Sequence, residues 1–233
     1  MPPLYVIMPV KDSIGTAAES IRAVCAAGLR LTVFNDFSTP DNTAALQRLA
    51  DELGFTLVNL ESLTDHPSPN YLLVLQLAQQ QALKEGAHLV IVESDVIVRG
   101  DTVRRLAESA GDPQTGLVAA VTSDGSGHVN FPYEYARRWS LTTHETRKRL
   151  SFCCTLLSLA FLRAFDFRTL DPSKNWYDVF ISHKACELGF RNLLMLDNPV
   201  LHKPHSSRPW KQLKYTNPLK YYWQKLIHGR DRI

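Results

Sequence analysis

Glu93-Ser94-Asp95 puts two carboxylates one residue apart at the point where a hydrophobic run stops. Carboxylate oxygens are hard ligands. A pair so spaced can hold a divalent cation, and the cation can hold a diphosphate. The run before it, Ala87-His88-Leu89-Val90-Ile91-Val92, is β-branched and mostly apolar, the pattern of a strand buried on both faces. Acids at its end would lie on the carboxyl edge of a parallel sheet, where open α/β sheets bind ligands. An acid pair after a strand also serves merely to solvate a turn, so the triplet needs company before it means more.

Other stretches supply that company. A second apolar run, Leu31 to Phe34, leads into Asn35-Asp36-Phe37-Ser38-Thr39-Pro40-Asp41-Asn42-Thr43. There Asp36 could accept from a base N–H or a ribose hydroxyl, while Ser38, Asp41 and Asn42 also suit a turn and a helix cap. The first run ends in Met8-Pro9-Val10-Lys11-Asp12 and places Asp12 on the same rim as Asp36 and Asp95. Acids from separate strands on one rim exceed what turn preference predicts. Downstream, Asn175-Trp176-Tyr177-Asp178 opens a helix. Asp178 could serve as cap or dipole partner, or as a general base beside the apolar wall of Trp176. Finally, in Val200-Leu201-His202-Lys203-Pro204-His205-Ser206-Ser207-Arg208 an imidazole, His202 or alternatively His205, could complete a Mn²⁺ or Mg²⁺ site built on a carboxylate. Lys203 and Arg208 could neutralise a leaving diphosphate.

The elements that must position these groups alternate. Leu4 to Met8 reads as a strand ended by Pro9, and Thr16 to Ala27 as a helix stopped by Gly28. Leu31 to Phe34 is a strand, and Asp41 caps a helix through Leu53 that Gly54 stops. Phe55 to Val58 is a short strand. Asn70 caps a long helix to Glu85, and Ala87 to Val92 is the strand that delivers Glu93 and Asp95. Asp101 caps a helix to Ala110. Strands are expected over Leu117–Thr122, Ser151–Ser158 and Arg191–Leu196, with a helix over Asp178–Leu188. Alternating β and α predicts an α/β fold, a mostly parallel central sheet with helices on both faces.

With 233 residues, 45% hydrophobic and 21% charged, the chain suits one domain, or one domain and a tail. We place the domain at 1–207 and the tail at 208–233. No run nears the roughly 18–20 apolar residues of a membrane span. Met1-Pro2-Pro3-Leu4 lacks the pattern of a signal peptide, and the four cysteines form no CxxC pair, so a reduced, cytoplasmic protein is expected. The net charge of +3 conceals a basic tail on a mildly acidic body. Leu219, Tyr222, Trp223, Leu226 and Ile227 space out an amphipathic helix there, either packed on the domain or lying peripherally on a membrane. The acidic rim argues against nucleic acid as a partner.

In this order, the stretches resemble the family 2 glycosyltransferases of the GT-A fold. Val6-Ile7-Met8-Pro9-Val10-Lys11-Asp12 is similar to the family's first strand, and Asn35-Asp36-Phe37-Ser38-Thr39-Pro40-Asp41 to its D-D-G-S-T-D turn. Glu93-Ser94-Asp95 falls on D-x-D, Tyr177-Asp178 on an E-D pair, and Val200-Leu201-His202 on V-x-H. The departures are Asn35, Phe37, Glu93 and Tyr177, each at a position where the family carries another residue. The resemblance implies an inverting, metal-dependent, hexosyltransferase-like enzyme with Mn²⁺ or Mg²⁺ on Asp95 and His202. Pro9, Asp12, Asp36, Ser38, Glu93, Ser94, Asp95, Lys203 and Arg208 would bind a nucleotide-sugar, with uridine favoured. Asp178 would be the base, and Trp176 and Tyr177 would line the pocket of a glycan or lipid-linked acceptor. By family analogy the setting is bacterial cell-surface or exopolysaccharide assembly. The alternatives are a sugar-phosphate nucleotidyltransferase, disfavoured because Lys11-Asp12-Ser13-Ile14-Gly15 holds a single glycine, and a non-catalytic nucleotide-sugar binder.

Overall fold

Short apolar runs separated by glycine-stopped amphipathic segments fold into a sheet with helices packed on it. The computed structural model describes residues 2–203 together with Asn217, Leu219, Lys220, Tyr222 and Trp223. The strands are β1 (Leu4–Val10), β2 (Leu31–Asn35), β3 (Thr56–Asn59), β4 (His88–Val92), β5 (Val96–Ile97), β6 (Thr115–Ser123), β7 (Thr143–Glu145), β8 (Cys154–Leu157) and β9 (Arg191–His202). The α-helices are α1 (Ile14–Ala26), α2 (Pro40–Leu53), α3 (Tyr71–Glu85), α4 (Thr102–Ser109), α5 (Leu159–Ala164) and α6 (Tyr177–Glu187). The sheet runs β3-β2-β1-β4-β8-β6-β9-β5, with β7 on β9. β1, β2, β3 and β4 are mutually parallel, as are β6 and β9, whereas β8 is inserted antiparallel between β4 and β6.

Alternation along the central strands divides the core in two. Tyr5 and Ile7 of β1 and Leu89 and Ile91 of β4 face α3, α5 and α6. Val6, Met8 and Val10, with Val90 and Val92, face α1, α2 and α4. The stops fall where glycine allows them. Gly54 and Gly86 cap α2 and α3 in the left-handed region at φ 74° and 62°, conformations that favour glycine.

Several expectations need correction. Pro9 does not end the first strand. Val10 turns its carbonyl towards β2, where the Asp36 N–H meets it at 2.9 Å, so Pro9 faces the β4 side. The last β1–β4 pair is Ile7–Ile91, and beyond it a missing N–H breaks no ladder bond. Thr39, not Asp41, caps α2, with Pro40 in the tolerated first position. Asn70 and Asp101 occupy N-cap positions without capping through their side chains. The late strand reaches His202 because Leu196–Pro199 bulge out between the pairs Ala120–Met195 and Thr122–Val200. The excursion is anchored by Arg105 on Asp197 (2.5 Å) and by Asn198 on the Thr102 carbonyl (3.1 Å).

Glycine matters once more, at Gly116 in β6. A methyl there would stand 2.8 Å from Phe190 Cβ and 3.3 Å from Ala185 Cβ, so α6 can approach β6 this closely only over a glycine. We expect Gly116→Ala to cost about 1–3 kcal/mol by overpacking. The thermal midpoint should fall by roughly 3–10 °C, measured by calorimetry.

The first compact unit spans Met1–Lys203. In the second, Leu219, Lys220, Tyr222 and Trp223 are helical, and the Asn217 side chain accepts the Lys220 N–H at 3.1 Å. The rest of the expected amphipathic stripe, Leu226 and Ile227, lies outside the described residues. No helix among the described residues is long and apolar enough to cross a membrane.

Candidate active site

The site is built at the carboxyl ends of β1, β2 and β4, closed on one side by the end of β9 and on another by the start of α6. β4 delivers Glu93 because its five residues are buried on both faces and the chain must leave the sheet there. The Glu93 N–H donates to the Cys153 carbonyl at 2.9 Å, and the Cys153 thiol donates to Glu93 Oε2 at 3.3 Å. Thus β8, the antiparallel insertion, fixes the acid. Two residues on, β5 pairs antiparallel with β9, Val96 opposite His202, which sets His202 beside Asp95. The backbone closes the same turn, Lys203 N–H to Asp95 carbonyl at 2.9 Å.

His202 Nε2 lies 3.5 Å from Asp95 Oδ2, and both side chains are largely buried. Its other nitrogen, Nδ1, is 2.7 Å from the Phe131 carbonyl. That carbonyl can only accept, so Nδ1 carries the proton and the ring is held with Nε2 towards the acid. Burial opposes the imidazolium, but Asp95, Glu93 and the Phe131 carbonyl together hold the His202 pKa above its ordinary value. Asp95 Oδ1 is buried without a hydrogen-bond partner. An oxygen so placed is costly unless something else satisfies it.

Among the described residues no three His, Cys, Asp or Glu side chains converge to hold an ion alone. The residues nevertheless fit a divalent cation of the kind that takes only one or two protein ligands and completes its shell with substrate phosphate and water. The orphan Asp95 oxygen and the oriented His202 ring are such a pair. His205 and Arg208 lie outside the described residues.

Asp178 sits in the first turn of α6, with Trp176, half-buried, at the N-cap position. Its Oδ1 accepts from the Val179 N–H at 3.0 Å. The helix is held from behind, since Ser182 Oγ accepts from Leu150 N–H and the Ser182 carbonyl accepts from Asn192. Burial first, then the charges of Asp95 and Asp178, push the Glu93 carboxyl above the usual carboxylate range. Glu93, Asp95, His202 and Asp178 therefore share one electrostatic neighbourhood, although they arrive from two strand ends and a helix.

The rim around Asp12 and Asp36 is more structural than its composition suggests. Asp36 accepts from Ser68 Oγ at 2.7 Å and from the Asn70 N–H at 2.9 Å on one oxygen, and from the Asn70 amide at 2.8 Å on the other. It pins the 66–70 loop to β2, which is why Asn70 does not cap α3. Asp12 ties the β1 and β2 turns together. Its N–H donates to Ser38 Oγ at 2.9 Å, and its Oδ1 accepts from Thr39 N–H at 2.7 Å, the bond that chiefly holds its carboxyl below the usual range. Phe37, where the resemblance has glycine, adopts φ 56°, the left-handed conformation that glycine would take without strain. Asn35 donates to Thr43 Oγ1 at 3.0 Å and to Asn59 Oδ1 at 2.8 Å, so an aspartate there would face a carbonyl oxygen with no proton between them. Ser94 takes part through its carbonyl, which accepts from Ser20 Oγ at 3.1 Å.

Two candidates are placed otherwise than expected. Tyr177 is a core residue, 5% exposed, with its hydroxyl on the Asp171 carbonyl. Lys203 extends its ammonium to Glu19 of α1 at 2.5 Å. Sequence reasoning missed Cys153 and the Phe131 carbonyl. Neither has a motif, and the cysteines read only as reduced thiols.

No protein-family model matches the chain, and no curated protein matches it either. Solved structures do. A mannosyltransferase from Pyrobaculum calidifontis, in complex with GDP-Man and Mn²⁺, superposes at a TM-score of 0.65 with 17% identity, over 97% of this chain and 64% of that one. S. aureus TarS with UDP does so at 0.65 with 16% identity, over 91% and 63%. Glucosyl-3-phosphoglycerate synthase from Mycobacterium tuberculosis, in complex with phosphoglyceric acid, gives 0.55 with 17% identity, over 91% and 75%. The chain thus spans less than two thirds of the first two. Its fold is the GT-A fold of glycosyltransferases.

Proposed function

We propose that this GT-A chain is a glycosyltransferase that moves a sugar from a nucleotide-diphospho sugar, a UDP-sugar favoured, to a hydroxyl of a glycan or lipid-linked acceptor. Inversion at the anomeric carbon, a hexosyl donor, a cytoplasmic location and a role in bacterial cell-surface or exopolysaccharide assembly belong to the same proposal. The observation that carries it is the gathering of Asp95, with its unsatisfied oxygen, His202, Glu93 and Asp178 at the carboxyl edge of the sheet. That the similar structures hold GDP-Man, UDP and Mn²⁺ supports the reading.

In this reading Asp95 and His202 would hold Mn²⁺ or Mg²⁺, which would supply positive charge for a departing diphosphate. Glu93 and Ser94 keep the Asp95 turn in place. Asp12, Asp36 and Ser38 build the paired turns against which the nucleoside would lie, with Pro9 in the strand that leads to them. Asp178 accepts the proton of the acceptor hydroxyl as its oxygen attacks the anomeric carbon in line with the leaving group. Trp176 lines the acceptor side. Tyr177, buried, and Lys203, paired with Glu19, act in this reading as supports of the site.

The test is release of nucleotide from UDP-, GDP- and dTDP-sugars in the presence of Mn²⁺, followed by chromatography. Turnover of one donor class is the expected result. No release from any donor by folded protein would set the proposal aside.

A further inference from the structure

Cations elsewhere on the described surface are mostly matched. Arg22 pairs with Glu52, Arg104 with Glu108, Arg168 with Asp166, and Arg191 with both Asp112 and Glu145. The segment between β6 and β8 is different. Over residues 134–149 it carries five Arg and Lys against two acids, Glu134 and Glu145. Among the described residues none of Arg137, Arg138, Arg147, Lys148 and Arg149 makes an ion pair, and Glu145 is already committed to Arg191. Arg137, Arg138, Arg147 and Lys148 are exposed. Unpaired exposed cations of one sign repel each other, so their gathering costs stability unless an anion answers them.

The two halves of the segment are joined. The rings of Tyr135 and Trp139 meet edge to face at 5.6 Å, and Trp139 meets His144 at 5.1 Å with the rings tilted by 52°. The Lys148 ammonium lies over the Tyr135 ring at 4.9 Å, and the Tyr135 hydroxyl donates to the Arg149 carbonyl at 3.2 Å. This stack sets Arg137 and Arg138 on the same lobe as Lys148. Between them the chain turns through Ser140-Leu141-Thr142, and Leu141 is 74% exposed. An apolar side chain at a tip rimmed by unpaired cations is the arrangement of a peripheral membrane contact: the cations meet lipid phosphates and the apolar group enters the headgroup layer.

We infer that the 131–149 lobe docks this protein on an anionic lipid bilayer, through Arg137, Arg138 and Lys148 with Leu141 inserted. This contact is distinct from any made by the C-terminal tail and does not depend on the glycosyltransferase reading. A bilayer fits better than a nucleic acid, because the rings nearest these cations, Tyr135 and Trp139, are spent on each other and on His144 instead of offering free faces to bases.

The test is co-sedimentation of the full chain with vesicles of phosphatidylcholine and of a phosphatidylcholine–phosphatidylglycerol mixture. The wild type should partition to the anionic vesicles only. Arg137→Glu/Arg138→Glu/Lys148→Glu should partition roughly 100-fold more weakly, at about fivefold for each cation removed. Leu141→Asp should weaken it too and, like Arg138→Glu alone, should keep the wild-type melting temperature, since those side chains are exposed. The triple variant also loses the Lys148 contact with Tyr135 and the Arg137 bond to the Val129 carbonyl, and should melt slightly lower while staying cooperatively folded. Failure of the wild type to bind anionic vesicles overturns the inference. So does loss of binding only in the tail variant Lys220→Glu/Lys225→Glu. Binding of inorganic phosphate or of a single-stranded RNA oligonucleotide that the triple variant abolishes, with no vesicle binding, overturns it in favour of a soluble anion.

Discussion

Asp178→Asn should lower the rate of sugar transfer by about 10²–10⁴-fold, the usual contribution of a positioned general base. Donor affinity should stay within roughly twofold of wild type. The reasoning is local. An asparagine keeps the size of the side chain and an oxygen for the Val179 N–H, now accepted at 3.0 Å, so the first turn of α6 is undisturbed. The grip of Ser182 on Leu150 and of Asn192 on Ser182 is untouched. What disappears is an atom able to take the acceptor proton. Steady-state kinetics with varied donor should show kcat falling and the donor KM unchanged. A variant within about tenfold of wild type would place the base elsewhere.

Asp36→Ala should be the most destabilising single change at the rim, by about 3 kcal/mol. Three donors lose their acceptor at once: Ser68 Oγ, the Asn70 N–H and the Asn70 amide. Asn70 is 6% exposed, so water cannot readily replace the carboxylate. The 66–70 loop would be freed from β2, and the first turn of α3 with it. Thermal denaturation should show a midpoint lower by roughly 6–12 °C. A drop of a degree or two would mean that the loop is held by something other than Asp36. Because both oxygens are engaged within the protein, nucleotide binding in this variant should weaken through the loss of the loop.

What the sequence made legible depended on range. Gly28, Gly54 and Gly86 stop their helices where the reading put them, because a left-handed residue at a helix end is a local matter. The β1, β2 and β4 runs are mostly apolar, so buried parallel strands were the natural outcome. After Ser123 short elements lie among the longer ones. Thr143–Glu145 and Leu159–Ala164 are too brief to show a period, and neither was expected. Asp197-Asn198-Pro199 looked like the end of a strand and is a bulge within one, since pairing resumes at Val200 only through contact with β6.

The site divides the same way. Residue types made Asp95 and His202 candidates, but their proximity rests on the β5–β9 register, which no local pattern encodes. Asp36 looked like a ligand-facing acid because Ser68 and Asn70, more than thirty residues on, give no sign in sequence that they will close on it. Tyr177 was assigned by its position in a motif and Lys203 by its charge, and packing and a partner on α1 claimed them.

The central claim is that Asp95 and His202 form one half of a metal–diphosphate site. Thermal stabilisation by UDP, GDP, CMP and dTDP compounds, each with and without Mn²⁺, tests it most directly. One nucleoside diphosphate should stabilise the wild type in the presence of Mn²⁺, by about 2.7 kcal/mol at a hundredfold excess over its Kd. The Mn²⁺-dependent part should vanish in Asp95→Ala. No shift with any nucleotide from well-folded protein, or a shift that survives Asp95→Ala unchanged, would contradict it.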